Sequence, residues 1–187
     1  MSLDRTVPPA AEPILPKDAI GFSCAEGGDA QRFRRLITRA REYVENYCNR
    51  SLMTQTWVQR FDCFSSHCIA LYKPPIQSIT SITYYDENNA QQTLDSSLYE
   101  VALKSEPAVL RPVSGQTWPN TYDRLEAIEI TYVAGYETTE EIPVAITEAM
   151  LMLTDHWFEH RGAVTELRLA EPPITVNDLL FPHKVFF

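Results

Sequence analysis

Glycine is scarce in this chain, with six in 187 residues, and none falls in a phosphate-cradling loop, a dinucleotide fingerprint or a Gly-x-Ser-x-Gly elbow. The nucleotide-dependent and serine-hydrolase chemistries that need those turns have no sequence support. No stretch approaches the roughly 18 uninterrupted apolar residues of a membrane span. The N-terminus also lacks the basic-then-apolar pattern of a signal peptide, so the expected setting is a cytoplasm. The four cysteines, Cys24, Cys48, Cys63 and Cys68, contain no Cys-x-x-Cys and match neither a zinc ribbon nor a redox motif. They read as packing residues. Basic charge is short as well: 16 Lys and Arg against 25 Asp and Glu give a net charge of -9 and a pI near 4.9. A global electrostatic grip on nucleic acid or an anionic membrane is therefore disfavoured, and any DNA contact has to be local.

What is present is a chain of one domain's length, 44% hydrophobic, enough for a real core. Residues 1–16 carry Pro8, Pro9, Pro13 and Pro16 and little periodicity, which predicts a flexible arm, either a disordered leader or a lasso around a neighbour. Residues 17–187 read as a single domain. From Ala30 to Arg50, Phe33, Leu36, Ile37, Ala40, Tyr43, Val44 and Tyr47 recur at steps of three and four, which predicts a long amphipathic helix opening near Asp29. Residues 51–135 change texture to short β-branched and aromatic runs separated by turn formers. Strands are predicted over 54–61, 68–72, 78–85, 98–103, 109–111 and 127–133, with a hairpin turn at Asp86-Glu87-Asn88-Asn89. A second helix is predicted from Pro143, in its first turn, to about 161, with Gly162 as its stop. Residues 164–170 read as a short strand or flap ended by Pro172-Pro173, and a last helix as running from Thr175, its cap, to Leu180. The order points to an α+β fold: a small helical bundle with an inserted antiparallel β-rich module.

Charge is unevenly placed. Residues 31–50 hold Arg32, Arg34, Arg35, Arg39, Arg41 and Arg50 against Glu42 and Glu45, whereas residues 125–160 carry acids and not one Lys or Arg. Three readings stay open: faces that are solvated or paired within one chain, a basic helix meeting the acidic surface of the next copy, or arginines that bind DNA. The second makes Arg32, Arg35 and Arg39 candidate interface residues opposite Glu137, Glu140 and Glu141. His156 and His160 lie one helical turn apart, a spacing that two metal ligands use, but no third ligand is visible, and they read as boundary histidines. A cysteine nucleophile paired with His67 has no wider support. The apolar end Val185-Phe186-Phe187 either docks on its own helices or enters a partner, so Phe186 and Phe187 are candidate partner contacts.

Several stretches together resemble a family of small bacteriophage and prophage proteins, the head-tail connectors or head-completion adaptors, in particular the members with an inserted β module. They are Ala40 to Arg50, Leu71-Tyr72-Lys73-Pro74-Pro75-Ile76 running on to Tyr84-Tyr85-Asp86, Gly115-Gln116-Thr117-Trp118-Pro119, and Tyr132-Val133-Ala134-Gly135-Tyr136 followed by Ile142-Pro143 and by His156 to Arg161. The positions that carry the pattern are Pro74, Pro75, Tyr85, Gly135, Pro143, His156, Trp157 and Arg161. The resemblance spans roughly residues 30–162. It departs between Pro16 and Ala30, where the family implies a short first helix, and over 164–173. It implies a non-enzymatic virion protein without cofactor or metal, placed at the head-tail interface after assembly in the bacterial cytoplasm. Its expected partners are further copies in a ring, the portal, and stopper or tail proteins, with DNA passing through the channel unread. The alternative is a DNA-binding packaging accessory that uses the arginine helix.

Overall fold

The computed structural model describes residues 1–24, 30–64, 68–160 and 174–187. In chain order the elements are β1 (Ser2–Val7), α1 (Pro16–Phe22), α2 (Ala30–Cys48), β2 (Gln55–Phe61), β3 (Ile69–Leu71), β4 (Ile76–Tyr85), β5 (Gln91–Thr93), β6 (Tyr99–Ala102), β7 (Ala108–Pro112), β8 (Ile128–Ala134), α3 (Val144–Glu159) and α4 (Ile174–Leu180). Helices and antiparallel sheets together make the predicted α+β fold. They fall into a β unit, Met1–Ala10 with Thr54–Tyr136 and Phe186–Phe187, and a helical unit, Ala11–Met53 with Glu137–Val185.

In the helical unit the α2 periodicity works as predicted: Phe33, Ile37, Ala40, Val44 and Cys48 are buried. The helix stops because Asn49 adopts φ 54°, a left-handed conformation that asparagine tolerates, and Arg50 N–H bonds back to Glu45 O at 3.1 Å. Asp29, the expected opening of this helix, lies outside the described residues, as do Gly162, the 164–170 segment and Pro172-Pro173. α1 supplies the short first helix that the resemblance implies. Pro16 occupies its first turn and the Asp18 carboxylate accepts the Leu15 N–H at 3.3 Å. Pro143 is the N-cap of α3 rather than a residue of its first turn, and Thr175 lies inside α4, which starts one residue earlier. Ile146, Ala149, Met150 and Leu153 of α3 and Val176 and Leu180 of α4 complete the core.

In the β unit one antiparallel sheet has the order β1-β2-β8-β4-β5 and a second has β3-β7-β6. β8 is central, and its alternation buries Ile128, Ile130, Tyr132 and Ala134 on one face. Ile69, Leu71, Ala108 and Leu110 of the second sheet join the same core. The Asp86 turn forms as predicted: its carboxylate accepts the N–H groups of Asn88 and Ala90, and Asn89 takes φ 58°.

Two expectations are corrected. Residues 2–7, read as part of a flexible arm, form an edge strand. Arg60 of β2 holds it there, its guanidinium joining Asp4 of β1 to Glu129 of β8, the latter at 2.9 Å. The prolines begin only at Pro8, just past the last paired residue. Of the four cysteines, only Cys48 is a packing residue; Cys24, Cys63 and Cys68 are exposed because they lie beyond the ends of α1 and β2 and before β3.

The Tyr132 side chain is fully buried and its hydroxyl donates to Tyr72 O at 2.9 Å. Burial raises its pKa well above the ordinary 10.0. The folded chain therefore holds this proton more tightly than the unfolded chain. The resulting stabilisation is complete below about pH 10 and is lost as pH rises towards the folded-state value. Urea denaturation between pH 8 and 12 should show stability falling steeply above pH 10, with Tyr132→Phe showing a shallower fall. Parallel slopes for the two proteins would contradict this.

Candidate assembly interface

α2 with Arg50 just beyond it, and the turn that leads into α3, present the charged residues singled out above, and the structure divides them into those used inside the chain and those left at the surface. Arg32 lies over the Phe158 ring at 4.4 Å and donates from Nη2 to Phe158 O at 2.8 Å. That carbonyl belongs to the last turn of α3, where no intrahelical donor exists, so a cation is well placed there. Arg39 lies 4.0 Å over the Trp157 ring. Phe33 stacks on Phe158 at 4.5 Å, and Tyr43 meets Trp157 edge-on at 6.2 Å. The contact between α2 and α3 is thus an aromatic seam with two guanidinium planes laid on it.

Arg41 and Arg50 are also committed internally. Arg41 is buried against Glu12 and Glu45, and Arg50 donates from Nε to His183 O at 3.0 Å. Arg34 and Arg35 differ: both are exposed, and neither guanidinium finds a partner among the described residues. The proposed basic set Arg32, Arg35 and Arg39 is therefore split, with Arg35 free to reach outward and the other two engaged with rings. Sequence could have signalled this, since Trp157-Phe158 at a helix end opposite arginines spaced seven apart is the composition of a cation–π seam.

On the acidic side, Glu137, Glu140 and Glu141 are all exposed. Glu141 has a local task, accepting the N–H groups of Glu137 and Thr138 at 3.0 and 3.4 Å to cap the turn before α3. Glu148 and Glu159 on α3 are exposed too. Sequence reasoning passed over Val144, which is 72% exposed at the start of the same helix.

The C-terminal tail divides at one peptide. Val185 is buried; its N–H donates to Cys48 O at 2.9 Å and its carbonyl accepts Asn49 Nδ2 at 3.1 Å. The Phe186 and Phe187 rings are 65% and 52% exposed, and Phe187 touches only part of its surface to the Tyr72 ring, 4.1 Å away.

Two motifs of the family pattern meet in space. Gly135, at φ 111°, donates its N–H to Pro75 O at 2.8 Å, beside the cis Pro74–Pro75 bond, and its own carbonyl accepts Gln77 Nε2 at 2.8 Å. A positive φ there is what calls for glycine. Tyr85 carries the Arg124 guanidinium 4.1 Å over its ring. His156 and His160 lie with ring centroids 4.6 Å apart. Among the described residues no group of three or more His, Cys, Asp and Glu is placed to hold a metal ion. Arg161 and His67 lie outside the described residues. An open cleft of about 540 Å³ is lined by Phe64, Glu87 and residues 117–121, with Trp118 stacked on Phe64 at 4.7 Å.

With the geometry in place, the comparisons with known proteins point one way. The model of the head completion protein family matches residues 23–166, about three quarters of the chain. No curated protein sequence matches. Among solved structures, the chain superposes on a protein from the neck of an empty gene transfer agent particle, computed with C6 symmetry, with a TM-score of 0.82 at 12% identity, covering 100% of this chain and 97% of that one. A protein of the virion of the native gene transfer agent particle gives 0.79 at 13%, and one from the neck of the native particle, computed with C12 symmetry, gives 0.71 at 15%, with the same coverage. At such identities the likeness is one of fold.

Proposed function

We infer the role from one premise: the chain belongs to the head completion protein family, and it serves as a structural connector between head and tail. The observation that carries the reading is the family match over residues 23–166, supported by whole-length similarity to proteins of gene transfer agent necks. The chain acts as a virion component without catalysis. Copies assemble in the host cytoplasm into a ring docked beneath the portal. The ring extends the DNA channel and offers a platform to stopper or tail proteins.

Charge supports this over DNA binding. A net charge of -9 repels phosphate, which suits a wall past which DNA slides, and four of the six arginines of residues 31–50 are engaged within the chain. Arg35, Glu137 and Glu140 are accessible for contact between copies. Phe186 and Phe187, held out from the Val185 anchor, are suited to an apolar pocket on the portal or another neck protein.

The test is native mass spectrometry of the chain alone and mixed with its portal protein. The expected result is a closed ring, formed alone or on the portal, of twelve copies if it follows the order of the C12 neck. A chain that stays monomeric and ignores the portal would contradict the connector role.

A further inference from the structure

α3 is apolar on more than its buried side. Ile146, Ala149, Met150 and Leu153 face the core, yet Val144 is 72% exposed and Leu151 and Met152 are only half-buried. A helix with apolar residues around most of its circumference belongs between two partners, not at a free surface. Along the same side stand Glu148, Asp155 and Glu159. With Val144 and Leu151 they follow steps of three and four, which places them on one stripe. None of the three carboxylates has an ion-pair partner among the described residues, and α3 contains no Lys or Arg. The same unit carries the complement: Arg34 and Arg35 on α2, exposed and without a partner among the described residues, while Arg32 and Arg39 are spent on the α3 rings.

We propose that the outward face of α3, Val144 with Glu148, Asp155 and Glu159, is covered by Arg34 and Arg35 on α2 of a second copy of this chain. Charge on the two helices is complementary around an apolar strip. Two cations and three carboxylates, none with an ion-pair partner among the described residues, sit on different helices of one unit, so each copy offers one set and receives on the other. Such a contact is heterologous and closes into a ring when the rotation permits. The proposal rests on the ring reading above and assigns its interface. It moves the contact from Arg32 and Arg39, whose reversal would also break the α2–α3 seam, to residues whose reversal leaves the fold intact.

The experiment uses two full-length variants, Arg34→Glu/Arg35→Glu and Glu148→Lys/Asp155→Lys/Glu159→Lys, and sedimentation velocity at low ionic strength over a concentration series. The first variant has two acidic faces and the second two basic ones. Each alone should associate at least about a hundredfold more weakly than the wild type, since every contact becomes a like-charge one. Mixed in equal amounts they should associate again, because every contact in an alternating ring then joins opposite charges. Salt should weaken association of the wild type and of the mixture alike. Wild-type association that survives both reversals would overturn this interface while leaving the ring intact. Variants that fail to recover on mixing would overturn it too. A wild type that does not associate at any concentration would overturn it as a contact between free copies, and a ring formed only on the portal would still satisfy the connector role.

Discussion

Arg41→Ala should cost about 3–5 kcal/mol of folding stability, the range seen when one partner of a buried ion pair is removed. Arg41 is only 4% exposed inside the helical unit. Its Nε reaches Glu12 Oε2 at 2.8 Å and its Nη1 reaches Glu45 Oε2 at 2.9 Å. Glu45 is equally buried and also accepts the Leu52 N–H at 3.0 Å, and the Thr38 hydroxyl donates to Glu12 at 2.7 Å. Truncating the arginine removes the guanidinium that joins Glu12 to the buried Glu45 carboxylate, and the loss of both charge-assisted contacts at a desolvated site is the main cost. Replacing both partners, Arg41→Met with Glu45→Gln, removes the charge as well as the attraction, keeps an acceptor for the Leu52 N–H and should cost less than the single change. Urea unfolding of the two variants beside the wild type decides the matter. A single variant within about 1 kcal/mol of wild type, the range of surface pairs, would mean that solvent reaches the cluster.

Gln59→Leu should cost about 2–4 kcal/mol although it puts an apolar side chain of similar size into a fully buried site. The Gln59 amide is a bridge between the two sheets of the β unit. Its Nε2 donates to Ala70 O at 3.1 Å and its Oε1 accepts the Tyr72 N–H at 3.2 Å, so one side chain satisfies an acceptor in β3 and the donor of the residue just after it. Leucine fills the space and leaves both groups unpaired, at about 1–3 kcal/mol each. Hydrogen exchange should report the loss locally, with amides of residues 69–72 exchanging much faster than those of β8. Uniform acceleration across the unit would show that the bridge stabilises the whole fold and not β3 in particular.

Both sites were invisible in the sequence, and for the same reason. Glu45 and Gln59 are polar residues in amphipathic patterns, where spacing assigns them to the solvent side; only the return of a distant backbone segment gives them partners. Glu45 takes its second contact from Leu52, seven residues on, and Gln59 takes its own from Ala70 of β3 and from Tyr72 just after it. The edge strand β1 was hidden likewise, since its six residues are mostly exposed and it is held by its register with β2 and by the Asp4–Arg60 pair, neither of which leaves a mark on the β1 residues alone. By contrast, α2 and β8 were legible because one face of each is buried along its whole length, which imprints the period of 3.6 or 2 on the residues themselves.

The candidate interface shows the same division. That positive charge gathers on α2 and that α3 lacks it is a property of the residue order, and so is the family pattern running from the first long helix to the aromatic helix end. Which arginines remain available is not. Arg32, Arg34, Arg35 and Arg39 share one helix and one chemistry, and the choice between them depends on where Trp157 and Phe158 come to rest, over a hundred residues away in the chain. Local periodicity and charge determined the elements of this protein, and its motif pattern the resemblance to a family; the tertiary structure decided which side chains those elements consume and which they leave for a partner, because burial and pairing depend on segments that only folding brings together.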